Sequence, residues 1–312
     1  MKCKNARVSL LGGLGNQLFQ LAAVLSVDAE SRQLDASFPS VRRTGNLEDI
    51  FYFTLPHGVN RVAPMEGSGT LQKGYNFILR FSLRKKDDWF QKFLCRNLNK
   101  ISNILLRERF SLQVGGNLGY VEIEKTKKND LHLYGYFQTY KYLQSNKVLE
   151  KLMQIKLVSE NENLLKYKKM TETIRPLIVH IRRGDYKTES NFGLLSAKYY
   201  EAAIDLMWST RAFDEIWLFS DEPNLAIELI PFRYQDYVRV IPDLDGIAAS
   251  TLEIMRLGAG YVIANSSFSW WGAALSKTPN AKVVAPSKWF KAMDDPSDLI
   301  PPNWIKVLSD FL

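Results

Sequence analysis

Leu177-Ile178-Val179-His180-Ile181 runs directly into Arg182-Arg183-Gly184-Asp185-Tyr186. The first five residues form a short apolar run rich in β-branched side chains, which predicts a strand covered on both faces. The next five carry charge and a glycine, so the chain is expected to turn there. Further on, Ala197 to Trp208 has helical spacing, Ile216 to Phe219 is strand-like, and Pro223 suits the first turn of a helix through Ile230. A strand at Val238 to Ile241, a helix around Ala248 to Leu257, a strand at Tyr261 to Ala264, a helix after Ser266 and Ser267, and a strand at Lys282 to Ala285 follow. This alternation predicts an α/β domain with a parallel sheet between helices, whose ligands collect at the carboxyl ends of the strands.

Toward the amino terminus the same pattern begins again, with a strand at Val8 to Leu11 and a helix from about Asn16 to Ala29. Between residues 40 and 130 it becomes irregular. The charged run Lys166 to Lys169 and Pro176 mark a boundary, giving an amino-terminal domain over 1–170. The stretch Arg80 to Arg109 holds nine basic residues, with Trp89, Phe93, Leu94, Leu98, Ile101 and Leu105 at helical spacing. It reads either as a surface helix packed on the core or as a membrane-surface helix.

The chain has 312 residues, 46% of them hydrophobic and 24% charged, which excludes disordered and fibrous classes. Two cysteines, Cys3 and Cys95, are too few for a disulfide framework or a thiolate metal site, and suit a reducing compartment. With 41 Lys+Arg against 33 Asp+Glu the formal charge is +8, which favours an anionic partner: nucleotide, nucleic acid or membrane. Lys2, Lys4 and Arg7 before Val8, Leu10 and Leu11 imitate a secretory signal, but Gly12, Gly13, Gly15, Asn16, Gln17 and Gln20 break the apolar run. No apolar run approaches the roughly 18 residues that span a bilayer, so a cytoplasmic protein is expected.

Four clusters offer chemistry. Gly12-Gly13-Leu14-Gly15-Asn16-Gln17 opens a helix after a strand, and reads either as a tight turn or as a place where backbone approaches a ligand. As a dinucleotide fingerprint it lacks the third glycine, where Leu18 stands. Arg182 and Arg183 beside a glycine make a clamp for a diphosphate, since arginine holds phosphate bidentately and keeps its charge. Asp185 reads as a salt-bridge partner before it reads as a base. Three histidines, His57, His132 and His180, make a multi-histidine metal site improbable. Ser220, Asp221 and Glu222 before Pro223 suit a helix cap, with a ligand contact compatible. Asn265-Ser266-Ser267-Phe268-Ser269-Trp270-Trp271-Gly272 offers hydroxyls and amides to a phosphate, and at least one tryptophan is expected to line a cleft or interface.

These motifs, in this order, resemble the bacterial α-1,2-fucosyltransferases, an inverting family that includes the blood-group H enzymes. The likeness rests on Gly12 to Gln20, Gly135-Tyr136-Phe137-Gln138, His180 to Asp185, Leu195 to Tyr200, Phe219 to Asp221, Asn265 to Gly272 and Ala285 to Phe290. It implies a GT-B-like fold of two Rossmann-like domains facing a cleft. The donor domain would cover 171–290, and a terminal segment, 291–312, would return as a helix toward the first domain. It also implies GDP-β-L-fucose as co-substrate, a galactose-terminated glycan, lipid-linked or free, as acceptor, and no metal. No Asp-x-Asp motif is expected at a strand end.

By the same resemblance Arg182 holds the β-phosphate, Arg183 and Asp185 support it, and His180 contacts the nucleoside. Ser266, Ser267 and Phe268 wrap the diphosphate, Asp221 lines the nucleotide pocket, and Gly13, Gly15 and Asn16 approach the donor from the first domain. Where the family usually reads Asp-Leu-x-Leu-Met, this chain has Thr251-Leu252-Glu253-Ile254-Met255. Glu253, Asp245 or backbone atoms must then serve guanine. Asp185 and Glu189 are the candidates for a general base. Rival readings are an NAD-dependent oxidoreductase resting on the glycine turn and a sugar-nucleotide-binding protein without turnover. For the basic stretch, contact with the cytoplasmic membrane face is preferred over nucleic acid.

Overall fold

The computed structural model describes residues 3–36, 49–62, 111–114, 119–123, 130–145, 147–243 and 245–312. The basic stretch Arg80 to Arg109 lies outside the described residues. The chain divides into two compact units, Met1–Lys156 with Pro296–Leu299 and Leu157–Asp295 with Ile300–Leu312, and each is described by itself.

In the first unit β1 (Cys3–Ser9) leads through a glycine turn to α1 (Leu14–Ser26), followed by β2 (Ala29–Asp35), β3 (Val59–Val62), β4 (Ser111–Val114), β5 (Asp130–Tyr134) and α2 (Val148–Met153). The strands form one parallel sheet in the order β3-β2-β1-β5-β4. Side chains on β1 alternate as a pleated strand requires. Ala6 and Val8 are fully buried, whereas Asn5, Arg7 and Ser9 make cross-strand polar pairs with Asp130 (2.6 Å), Gln33 (3.1 Å) and His132 (2.9 Å). The helix expected over Asn16 to Ala29 ends earlier, because Val27 is extended and Ala29 already belongs to β2.

The second unit contains α3 (Glu162–Met170), β6 (Pro176–Ile181), α4 (Ala197–Trp208), β7 (Glu215–Ser220), α5 (Pro223–Ala226), β8 (Val238–Val240), α6 (Ala248–Met255), β9 (Gly260–Val262), α7 (Ser267–Ala274), β10 (Lys282–Pro286) and β11 (Ile305–Val307). Its parallel sheet runs β11-β10-β9-β6-β7-β8. Strands β6, β7 and β8 advance in one direction, and β9 then returns to the other side of β6. That is doubly wound order, and its switch point, where ligands bind in such sheets, lies between the ends of β6 and β9. β6 is buried along its whole length. Leu177, Val179 and Ile181 join the core beside Tyr199, Ile204 and Ile216, each such side chain contributing about 1.5–3 kcal/mol by leaving water.

The division falls at Lys156 rather than at residue 170, since α3 packs into the second unit. Tyr167 sits edge-on to Trp217, with centroids 5.2 Å apart, and Asn161 Nδ2 donates to Asp245 Oδ2 at 2.8 Å. Residues 291–312 contain no helix, which corrects the expectation of a terminal one. Instead Pro296–Leu299 belongs to the first unit, where the Asp298 carbonyl accepts from Thr139 Oγ1 at 2.9 Å, and Ile305–Val307 adds β11 to the second sheet.

Candidate active site

The ends of β6, β7 and β9 bring three of the sequence clusters together. Arg182 leaves β6 between two carboxylates: its Nε donates to Asp185 Oδ1 at 3.0 Å, and Nη1 lies 3.1 Å from Asp221 Oδ2. The side chain remains about one-third exposed (33%), and a guanidinium has five N–H groups, so donors are left for a third anion. Arg183 is more enclosed. Its Nε donates to Glu222 Oε2 at 3.2 Å, its backbone N–H donates to Asp221 Oδ1 at 3.0 Å, and Lys187 meets the other Glu222 oxygen at 2.5 Å. Gly184 is needed for this arrangement, because a Cβ there would stand 2.4 Å from Asp221 Oδ2.

Asp221 and Glu222 therefore hold arginines rather than cap a helix; the start of α5 has no side-chain cap, and Ser220 Oγ accepts only from the Glu222 N–H, at 3.1 Å. Asp185 is the salt-bridge partner of Arg182. Glu189 is exposed and makes no side-chain bond to another described residue.

His180 is the buried floor of the cluster. Its Nδ1 has no hydrogen-bond partner among the described residues, and its ring centroid lies 6.0 Å from that of Phe268. Burial, and then the charge of Arg182, pushes its pKa down to about 3, so the ring is neutral at physiological pH. Across the switch point Ser266 caps α7, its side chain accepting from the Phe268 N–H at 3.3 Å. The first-turn amides of α7, beginning at Ser267, face an anion well, for the charge reason that holds at any helix start.

Trp270 and Trp271 correct an expectation. Both are fully buried, packed edge to face with centroids 4.9 Å apart, and Trp270 also meets Trp304 at 5.3 Å. One core accepts two consecutive tryptophans because α7 is buried around most of its circumference. Glu253 is a second correction. It is buried and pairs with Arg256 and with Lys277, the latter at 2.7 Å, so neither oxygen is left for a nucleotide base. Asp245 is equally occupied, accepting from the Ile247 N–H at 2.9 Å and from Ser250 Oγ at 2.8 Å. Thr251 alone in that pentapeptide is half-buried rather than buried. An Asp-x-Asp sequence does follow a strand, against expectation, at Asp243-Leu244-Asp245; Asp243 Oδ1 accepts from the Gly246 N–H at 3.1 Å, so both aspartates shape the turn before α6. Among the described residues no group of three His, Cys, Asp or Glu is placed to hold a metal ion, and no helix is long and apolar enough to cross a membrane.

The glycine turn belongs to the first unit and is neutral. Gly12 has φ +70°, and a Cβ there would meet Asn16 Nδ2 at 2.5 Å, whereas a Cβ on Gly13 would meet nothing. Asn16 Oδ1 accepts from Gln138 Nε2 at 2.6 Å, and Gln17 Nε2 donates to the Gly12 carbonyl at 3.0 Å. Gly15 is buried in the first turn of α1. Sequence reasoning gave no role to Tyr186 or to the Asn265 side chain, both of which join the loops of the second unit. Tyr186 was visible only as the residue after the arginine cluster.

The chain is 29% identical over 322 residues to the O-antigen biosynthesis glycosyltransferase WbnK of Escherichia coli, covering 96% of this chain and 99% of that protein. It is likewise 29% identical over 317 residues to an alpha-1,2-colitosyltransferase of Escherichia coli, covering 96% and 97%. A solved structure of NodZ alpha-1,6-fucosyltransferase soaked with GDP-fucose aligns over 95% of this chain and 100% of that chain, with 13% identity and a TM-score of 0.49. The model of glycosyl transferase family 11 matches residues 102–307, which take in the arginine turn, the β7 end and the serine-capped helix, and the chain belongs to that family.

Proposed function

We propose that this glycosyltransferase moves L-fucose from GDP-β-L-fucose to the 2-hydroxyl of a terminal galactoside, with inversion, during assembly of an O-antigen or similar surface polysaccharide. The observation behind this reading is Arg182, fixed between Asp185 and Asp221 at the switch point yet one-third exposed. A diphosphate leaving group gains a full negative charge as the bond from fucose C1 to the β-phosphate oxygen breaks. A cation already held in place stabilises that charge without reorganisation, and losing one such contact costs about 10²–10³ in rate. The galactose oxygen attacks C1 from the opposite face, its proton passes to a base, and the electron pair of the broken bond leaves on GDP. Arg183 supports the same turn, while Ser266, Ser267 and Phe268 supply the α7 start to the diphosphate. His180, neutral, lies beneath the nucleoside.

Glu189 is assigned the base because Asp185 is engaged with Arg182 and Glu189 is free to approach an acceptor. Glu189→Gln is expected to lower kcat by about 10²; turnover near wild type removes that role. Arginine charge does the work at the leaving group, so turnover is expected to persist in EDTA. An acceptor on a lipid carrier would place the reaction at the cytoplasmic face of the membrane, and the Arg80 to Arg109 stretch is the segment to test on anionic vesicles.

The name of one relative favours a second reading, transfer of colitose, which is L-fucose without its 3-hydroxyl. The deciding experiment incubates the purified protein with GDP-fucose or GDP-colitose and a panel of β-galactosides, with and without EDTA, beside Arg182→Ala. Mass spectrometry is expected to show a deoxyhexose gained only by wild type. A dideoxyhexose gained instead selects the second reading, and GDP binding without any product selects a non-catalytic sugar-nucleotide-binding protein.

A further inference from the structure

Arg182 and the serine-capped helix reach the same place from different strands, and one side chain joins them. The Tyr186 hydroxyl donates to the Asn265 carbonyl at 3.1 Å, immediately before Ser266. Above the same ring stands the Arg182 guanidinium, its Cζ 5.7 Å from the centroid. The ring also stacks on Phe192 at 4.9 Å with the planes inclined by 28°, and Phe192 in turn meets Phe290 at 5.5 Å. Asn265 is the fixed point of this assembly. Its Nδ2, with two N–H groups, lies within hydrogen-bond distance of three carbonyls, those of Phe192 (3.1 Å), Gly193 (3.3 Å) and Trp289 (3.1 Å), and Asp295 in turn accepts from the Trp289 and Phe290 N–H groups.

We propose that Tyr186 is a positioning residue, which sets the guanidinium of Arg182 against the Asn265-Ser266 turn so that both meet one diphosphate. The inference rests on the functional reading above and adds a residue to it. The phenol suits the task because its ring gives a flat seat for a cation while its O–H ties that seat to a backbone carbonyl. Burial pushes the Tyr186 pKa up, so the hydroxyl stays a donor at any pH where transfer would be measured.

Asn265 substitutions would test folding rather than position, so the test uses Tyr186→Phe, which keeps ring, stack and cation contact and removes one hydrogen bond. The expected result is a melting temperature within about 2 °C of wild type and a GDP dissociation constant raised about 5- to 10-fold, the weight of one such bond. kcat/KM for the donor is expected to fall in parallel. In an Arg182→Lys background the same change should alter GDP affinity less than about twofold, because neighbours that act together are not additive. GDP affinity unchanged by Tyr186→Phe overturns the proposal, as does a loss that persists undiminished in the Arg182→Lys background or one that follows a fall in melting temperature. Equal GDP binding by wild type and Arg182→Ala would remove the functional reading itself, and this inference with it.

Discussion

The turn after β1 and the turn after β6 occupy equivalent places, each at the end of the strand where its parallel sheet reverses direction. The first is closed by neutral amides: Asn16 with Gln138, Gln17 with the Gly12 carbonyl, and Gln20 with the Leu11 and Gly135 backbones. The second is ionic, with two arginines and a lysine shared among Asp185, Asp221 and Glu222. The neutral turn opens α1, whose first amides favour an anion as any helix start does, whereas the ionic turn adds cationic side chains already fixed in place. The same fold element is thus held by neutral or by ionic bonds according to which side chains follow the strand.

The largest expected effect separates acid residues that build the second unit from those at its candidate site. Glu253→Ala leaves the buried Arg256 without its nearest carboxylate and is expected to cost about 3–5 kcal/mol in urea unfolding. An unchanged midpoint would return Glu253 to the list of base-reading residues. Next, Arg182→Ala should lower kcat/KM by about 10²- to 10³-fold, while Asn16→Ala, removing a neutral hydrogen bond, should lower it by about tenfold or less. Equal losses would erase the distinction between the two turns.

A third test uses pH, because one buried group in each unit gives a slope of opposite sign. Asp49, in the first unit, has its pKa raised to about 6 by burial alone, and its Oδ1 lacks a partner among the described residues. The folded state then binds the extra proton between the ordinary carboxylate pKa and about 6, so stability falls as pH rises through that window. Asp49→Asn should gain about 1–3 kcal/mol on wild type at pH 8 and nothing at pH 4. His180 is pushed down to about 3, so the unfolded state binds the extra proton, and stability is lost as pH falls from about 6.5 toward 3. His180→Phe should flatten that acid limb. His132, on β5, is pushed to about 4, burial leading, so the His180 effect is the difference between variant and wild type. Matching slopes in the two variants would contradict the assignment.

The smallest effect compares two glycines. Gly184→Ala drives a Cβ into Asp221 and should cost about 1–3 kcal/mol, with a loss of GDP affinity. Gly13→Ala enters open space and should change stability by no more than about 0.5 kcal/mol. If its donor KM nevertheless rises, the ligand passes over that backbone.

Much of the second unit was legible before any coordinates. β6 is apolar on both faces, and Ala197–Trp208 has a clear helical period, so local pattern and tertiary burial agree there. Of the first sheet only one strand was legible, and it was expected at Val8 to Leu11 rather than Cys3–Ser9, because β1 and β2 carry Asn5, Arg7, Ser9, Ser31, Gln33 and Asp35 on one face, and such alternation looks like loop until the partner strand is known. β11 is a three-residue edge strand paired with β10, too short for any period to announce it.

By itself the sequence determined the residue types at the candidate site: the paired arginines, the glycine beside them, and the serines before α7. Those follow from local rules of charge, backbone freedom and capping. Only the tertiary structure decided which carboxylates are already engaged. Glu253 and Asp185 are both carboxylates near basic residues, yet one is buried on α6 with Arg256 and Lys277 while the other lies exposed beside Arg182. The physical reason is that an ionised side chain is defined by what desolvates it and what pairs with it, and both arrive from distant parts of the chain.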